Sequence, residues 1–400
     1  MVPVFEVIAT GDRTRITITT SIKKTYDMQQ HTTTNSRRVL VTGQEGMIAR
    51  NLLVSLEERM AFAGSRRGSI EDPAGMHFQL AEADAVVHIR TAATKTDKAL
   101  QAEQALVEAI LREQTERDRI LPVVTVHAGR SPHDNASTQA ASSPLEALAQ
   151  RTGHPVVAFQ LTEVFGKWCA EDESSIVADY SRSVVKGLPV RPYDPSKLLE
   201  LIFVEDVVSA IIASLEAPVQ GLSKGVASPV YTVGAGALLE QIRAFEKCRV
   251  SNFRVERVGW GLVRALYSTY VSYQAKDRFG YRLPGHRDPR GVFVEILKTP
   301  DSGQFSYFTI NPGFARGGHY HHTMTEKILV VKGTAVIRLR HLLTGELVEI
   351  PTSGDRPEVV DTIPGWAHEI NNIGTDELVV MLWANEIYDP AHPDTIPSKV

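Results

Sequence analysis

Cysteine is nearly absent from this chain: its 400 residues hold only Cys169 and Cys248. Two thiols cannot build a disulfide framework, and they fit a reducing compartment. A strong excess of either charge is also missing, since 43 Lys and Arg stand against 47 Asp and Glu for a net charge of -4. Nucleic-acid binding would want a concentrated basic face, and this balance offers no argument for one. Long hydrophobic runs are lacking too. No apolar stretch approaches the roughly 18 residues of a membrane span, and the first residues lack the compact apolar core of a secretory signal. These absences predict a cytoplasmic protein with no membrane span and no nucleic-acid partner. What remains is an ordinary globular composition, 43% hydrophobic and 22% charged, in a chain too long for one core.

The texture divides the chain in three. Residues 1–36 read as a poorly ordered extension. Within it "VFEVIATGDRTRITITT" alternates like a hairpin turning at Gly11 and Asp12, and its few acids leave a targeting role open. Residues 37–275 alternate short apolar runs with helical stretches: "RRVLVTG", "ADAVVHI", "LPVVTVHAG" and "HPVVAFQL" against "ARNLLVSLEERM" and "KALQAEQALVEAILREQTERD". That order predicts α/β structure, a Rossmann-like doubly wound parallel sheet with helices on both faces. Residues 276–400 turn to short strands punctuated by turn residues, the pattern of an all-β barrel.

The β region carries the most specific motif. In "GFARGGHYHHTMTEKILVVKG", Gly313 is followed after five residues by His319, then His321, then Glu326 after four more, then Gly333 after six. This is the spacing of a metal-binding cupin. His319 and His321, two apart on one strand, share a face, Glu326 returns to it from the next turn or strand, and "PGWAHEINN" supplies His368 from a facing strand. Three imidazoles and a carboxylate suit a divalent transition ion, zinc foremost. His322 breaks the alternation and should point away.

In the α/β region "VTGQEGMIARNL" sets Thr42, Gly43 and Gly46 after a strand, with Ala49 where a third glycine is usual. The pattern resembles the TGxxGxxG of extended short-chain dehydrogenases, in which glycines let backbone approach a pyrophosphate at a helix N-terminus. Arg66 and Arg67 follow about twenty residues on, with no acid where a ribose-binding Asp would stand, which favours NADP.

From Tyr267 onward the chain resembles the C-terminal domain of capsular polysaccharide assembling proteins, in "YSTYVSY", "ILKTPDSGQ", "GGHYHHTMTEKILVVKGTAVIRLRH", "GDRPEVVD" and "MLWANEIYDPAHPDT". "TIPGWAH" departs from the family's turn and keeps His368. In the first domain "FGKWC" and "FVEDVVSAI", with Asp206, resemble the same family. Such proteins join a short-chain dehydrogenase-like domain to a cupin and act in UDP-deoxy-amino-sugar synthesis. "DPRGVFVE" is similar to sugar-nucleotide 3,5-epimerases, which makes Arg290 and Glu295 candidates for holding a nucleotide sugar.

One expected element is missing. A short-chain dehydrogenase donates a proton from Tyr and holds the ribose with Lys four residues later. The interval between "LPVVTVHAG" and "VFGKWC" contains neither, and alignment on Asp134 and Asn135 puts Ser137 and Ala141 in their places. The literal "YDPSK", Tyr193 to Lys197, falls after "VFGKWC", and Pro195 disfavours a helix there. The resemblance with this gap leads to the expectation of C3 epimerisation of a UDP-4-keto-6-deoxy-amino-sugar in the cupin, with the family's NADPH-dependent C4 reduction doubtful and the catalytic base unidentified. A non-catalytic sugar-nucleotide-binding or assembly protein, or another metal-dependent cupin reaction, are the alternatives. By analogy with other cupins the chain should form a homodimer.

Overall fold

The computed structural model describes residues 37–43, 45–59, 62–67, 73–91, 96–129, 143–173, 175–190 and 193–400. The N-terminal extension, with its hairpin expectation, lies outside them, as do Ser137 and Ala141.

The α/β part opens with β1 (Arg37–Gly43), α1 (Met47–Glu57), β2 (Phe62–Arg67), α2 (Pro73–Glu82), β3 (Ala85–Thr91) and α3 (Thr96–Arg117). It continues through β4 (Val123–Ala128), α4 (Pro144–Thr152), β5 (Val156–Leu161), β6 (Glu163–Phe165), α5 (Ile176–Val185) and β7 (Leu198–Phe203). Then come α6 (Val204–Glu216), β8 (Leu222–Gly225), β9 (Val230–Gly234), α7 (Ala235–Lys247) and α8 (Gly261–Ser272). The main sheet runs β2-β1-β3-β4-β5-β8, all parallel. Its order reverses between β1 and β3, and ligands of open parallel sheets bind in the crevice beyond the strand ends at such a reversal. A second sheet, β6-β7-β9, flanks it.

Helix α1 shows how sequence fixes this layer. Gly46, in extended conformation, starts it, and Ile48, Leu52 and Leu56 at fourfold spacing bury one stripe against the sheet. Leu52 and Leu56 are fully enclosed, so truncating either to Ala would cost about 2–5 kcal/mol. The opposite face of the sheet is covered by α3 and α4 through Leu106, Ile110, Leu145 and Leu148.

The β part comprises β10 (Gly285–Asp288), β11 (Gly291–Thr299), β12 (Gly303–Ile310), β13 (Ala315–Tyr320), β14 (Glu326–Lys332) and β15 (Thr334–His341). It ends with β16 (Leu347–Ser353), β17 (Val359–Asp361), β18 (Trp366–Asn372), β19 (Leu378–Ala384) and β20 (Ile396–Pro397). Two antiparallel sheets, β10-β11-β12-β19-β14-β17 and β16-β15-β18-β13-β20, enclose a core that includes Ile310, Ile328, Ile337, Ile370 and Val380. The segment before α8 is stitched to β11: the Val255 N–H donates to the Lys298 carbonyl at 2.7 Å and the Lys298 N–H to that of Phe253 at 2.8 Å. Among the described residues no helix is long and apolar enough to cross a membrane.

Candidate metal centre and dinucleotide crevice

The four cupin residues converge. His319 on β13 lies directly opposite His368 on β18, so the two imidazoles are cross-strand neighbours rather than contributions from facing sheets. His321 stands one residue past the end of β13, and Glu326 opens β14 in the other sheet. One donor atom from each of the four falls within 4.8 Å of the others. Glu326 Oε2 is 3.3 Å from His368 Nε2 and 3.7 Å from His321 Nε2. His321, Glu326 and His368 are buried, and His319 is half-buried.

Two observations fit a metal ion. His321 Nε2 and His368 Nδ1 are buried without a hydrogen-bond partner, a costly arrangement unless another acceptor of their lone pairs is present. The protonation states of His319 and Glu326 agree as well. Burial, reinforced by the neighbouring His368, pushes His319 down to about 4, which leaves its lone pair free at neutral pH. Burial alone would raise Glu326, but the imidazoles of His321 and His368 beside it bring it to about 2. His321 goes the other way: burial would lower it, but the nearby Glu326 carboxylate and the bond to the Asp394 carbonyl outweigh that and raise it.

Asp394 is a residue that the motif did not reveal. Its carboxylate accepts N–H bonds from His322 at 2.9 Å, Thr323 at 2.7 Å and Met324 at 2.9 Å. These donors outweigh desolvation and hold the carboxyl well below its usual range. Its main-chain carbonyl meets His321 Nδ1. A carbonyl only accepts, so Nδ1 carries the hydrogen and Nε2 is left to face Glu326. The strap is completed by β20, which pairs with His319 and Tyr320.

The other polar side chains around the motif have partners or exposure of their own. His322 is exposed, with its ring 5.4 Å from that of Tyr320. Lys327 pairs with Asp361, and His341 is occupied by Thr344 and Trp366. Arg290 grips Asp288 through Nε at 3.1 Å and a terminal nitrogen at 2.7 Å, while Glu295 pairs with Lys298 at 2.9 Å. Each has a local partner of opposite charge, and no contact joins the two. Arg316, three residues before His319, shares Asp288 at 3.3 Å.

In the first domain Gly43 closes β1 with φ +96, where a Cβ would sit 2.1 Å from the Ile89 carbonyl oxygen. Only glycine permits this approach of β1 to β3. Thr42 does not face the loop: its hydroxyl lies 3.1 Å from His88 Nδ1 inside the sheet face. Ala49 packs inward on α1. Arg66 and Arg67 end β2, level with Leu40 and Val41 of β1. The backbone thus fits a dinucleotide, with one conflict. Glu173 Oε2 accepts the Met47 N–H at 2.9 Å, at the helix N-terminus, and Glu173 pairs with Arg50 at 2.8 Å. A carboxylate therefore stands where the pyrophosphate is expected.

The literal "YDPSK" is not a helical pair. Residues 193–197 form a loop before β7, with Tyr193 edge-on to Tyr180 at 5.9 Å.

Comparison with known proteins places this geometry. A family model described as "Polysaccharide biosynthesis C-terminal domain" matches residues 286–396, and one described as "NAD dependent epimerase/dehydratase family" matches residues 125–234. A protein of Pseudomonas aeruginosa, UDP-2-acetamido-2,6-beta-L-arabino-hexul-4-ose reductase, is 38% identical over 371 residues, 91% of this chain and 99% of its own. The chain belongs to the CapF-like capsular polysaccharide assembling family. The crystal structure of CapF from Staphylococcus aureus is 28% identical with a TM-score of 0.75, covering 90% of this chain and 99% of that one. CapF with the inhibitor 3-isopropenyl-tropolone gives a TM-score of 0.77 at 28% identity, covering 91% and 100%. A CapF-like chain of this kind is an enzyme acting on a UDP-sugar, with a Rossmann-like first domain and a cupin-like second.

One expectation is overturned. C3 epimerisation was the activity anticipated, with reduction in doubt because Tyr and Lys are missing. The relative that matches almost end to end is named as a reductase of a UDP-hexul-4-ose, which points to NADPH-dependent reduction and not to epimerisation. The missing Tyr and Lys do not exclude reduction, because a proton or a charge-stabilising donor can come from side chains that no motif encodes.

Proposed function

We propose that this CapF-like protein reduces the keto group of a UDP-linked hexul-4-ose with NADPH, in residues 37–275, and holds a divalent ion, zinc, in residues 276–400. The observation that carries the reductase reading is the near full-length likeness to a reductase of that substrate class. The crevice beyond the ends of β1 and β3 supports it, since Gly43 lets the end of β1 close against β3 where the sheet order reverses. Arg66 and Arg67, ending β2 beside β1, are the groups we assign to the 2'-phosphate of NADP. A bound reduced nicotinamide supplies the hydride. The chain's part is to present backbone at Gly43 and Gly46, to orient the sugar carbonyl and to exclude water.

His319, His321, Glu326 and His368 are the four side chains we assign to the ion, and a divalent cation held there would act as a Lewis acid. Arg290 and Glu295 are assigned to the nucleotide sugar only if their present partners, Asp288 and Lys298, yield. Pairing of two copies is supported by the edge strand β16, where Leu343 of the adjoining turn is 92% exposed and Leu347 also faces solvent.

The deciding experiment is NADPH oxidation by purified, metal-analysed protein supplied with a UDP-4-keto-hexose. Stoichiometric loss of NADPH with formation of the 4-hydroxy sugar is the expected result. Protein that binds NADPH and leaves that substrate untouched would refute the reading.

A further inference from the structure

Behind the crevice lies a buried polar cluster that the motifs did not foreshadow. Arg90 on β3, His127 on β4 and Gln160 on β5 are register partners at the strand ends. Arg90 therefore follows Ile89, the residue opposite Gly43, at the point where the sheet order reverses. Glu103, from α3, is fully enclosed beneath it, with 0% side-chain exposure against 16% for Arg90 and 13% for His127. Arg90 donates to Glu103 at 3.1 Å and to His127 Nδ1 at 3.1 Å. Arginine can only donate, so Nδ1 of His127 accepts and its Nε2–H faces Glu103, 3.6 Å away. Ser143 donates to Glu103 as well. Ser143 stands two residues after Ala141, where the alignment on Asp134 and Asn135 puts the missing lysine.

The cluster has a direction. Its carboxylate is at the back and its guanidinium toward the strand ends. Burial opposes ionisation of Glu103, but bonds from His127 and Ser143 and the charge of Arg90 prevail and hold its carboxyl low. Two contacts occupy one N–H on each terminal nitrogen of Arg90, which leaves three of its five hydrogens. A fixed dipole of this kind, aimed at the place where charge develops, is what carbonyl addition requires.

We propose that Arg90, anchored by Glu103 and His127, hydrogen-bonds the keto oxygen of the UDP-sugar and stabilises the negative charge left there when hydride adds to the carbonyl carbon. This rests on the reductase reading above. The hydride and its electron pair leave NADPH for carbon, the C–O π pair moves to oxygen, and the oxygen then takes a proton from water. One NADPH and one proton are consumed per alcohol formed. Glu103 and His127 are positioning residues, and Arg90 stabilises the oxyanion while the proton that Tyr gives in other short-chain dehydrogenases comes here from water.

The test compares wild type with Arg90→Gln and Arg90→Lys, using UDP-4-keto-hexose. Arg90→Gln should lower kcat by roughly 10²–10³, with partial recovery on adding guanidinium. Calorimetry should show unchanged NADP+ binding, with keto-sugar binding to the NADP+ complex weakened about tenfold. Arg90→Lys, which keeps the charge, guards against misfolding of the first variant and should fall between. Arg90→Gln with wild-type kcat and wild-type keto-sugar affinity overturns the proposal. Wild type that oxidises no NADPH overturns the reductase reading instead, so the two failures are distinct.

Discussion

His88 makes the stability of the first domain depend on pH in a calculable way. Its side chain is 3% exposed, between the Thr42 hydroxyl and Glu103. Burial pushes it from 6.5 down to about 4, and the attraction of Glu103 only partly opposes this. The unfolded chain therefore takes a proton first as pH falls. The folded state loses nothing above pH 6.5, loses stability from there to about 4, and levels off below. Between about pH 7.5 and 5 the loss is roughly 2 kcal/mol, from 1.36 kcal/mol per unit. The assay is hydrogen exchange of the β3 amides in chelator-treated protein at both values, corrected for intrinsic rates. Wild type should lose protection on acidification, and His88→Gln should lose roughly 2 kcal/mol less. Comparing the two removes His319, which is also pushed down to about 4 and titrates in the same window. Equal losses in both proteins would refute the argument.

Replacing His368 with Ala should abolish stoichiometric metal retention, measured by elemental analysis after dialysis, because a direct ligand is lost. Asp394→Ala removes the carboxylate that pins residues 322–324 and so loosens the carbonyl on His321; it should weaken metal binding about 10–100-fold, as loss of an orienting partner does, chelator competition would read it, and unchanged affinity would dismiss the strap. Glu173→Gln should tighten NADPH binding by about two- to tenfold, since one negative charge leaves the N-terminus of α1. Fluorescence titration decides that, with weaker binding as the contrary result. Gly43→Ala should lower the melting temperature together with dinucleotide affinity, read by thermal unfolding and fluorescence titration, because its Cβ would overlap the Ile89 carbonyl and push β1 from β3.

Sequence reading reached what short-range pattern encodes. The strands "RRVLVTG" and "LPVVTVHAG" declare themselves by apolar runs, and β13 with its His-x-His spacing needs only a few neighbouring residues. His368 was legible because the cupin motif brings it along. Asp394 was not, since nothing in "PAHPDT" says that its carboxylate will meet amides some 70 residues earlier. Arg90, Glu103 and His127 come from a strand, a helix and another strand, and only the parallel register unites them. For the same reason the absent Tyr and Lys misled: a motif gap reports what is missing from one helix, and a sheet can supply polar groups from elsewhere.

The strap at Asp394 and β20 also imposes an order on biosynthesis. All four imidazole and carboxylate groups have emerged from the ribosome once His368 is clear of the exit tunnel, yet Asp394 and Pro397 follow by a further 26 and 29 residues. A nascent chain paused in that gap holds a complete set of donors with His321 free to turn. Residues 394–397 therefore close the cluster last, and His321 takes its fixed ring orientation only when the end of the chain has folded back onto it.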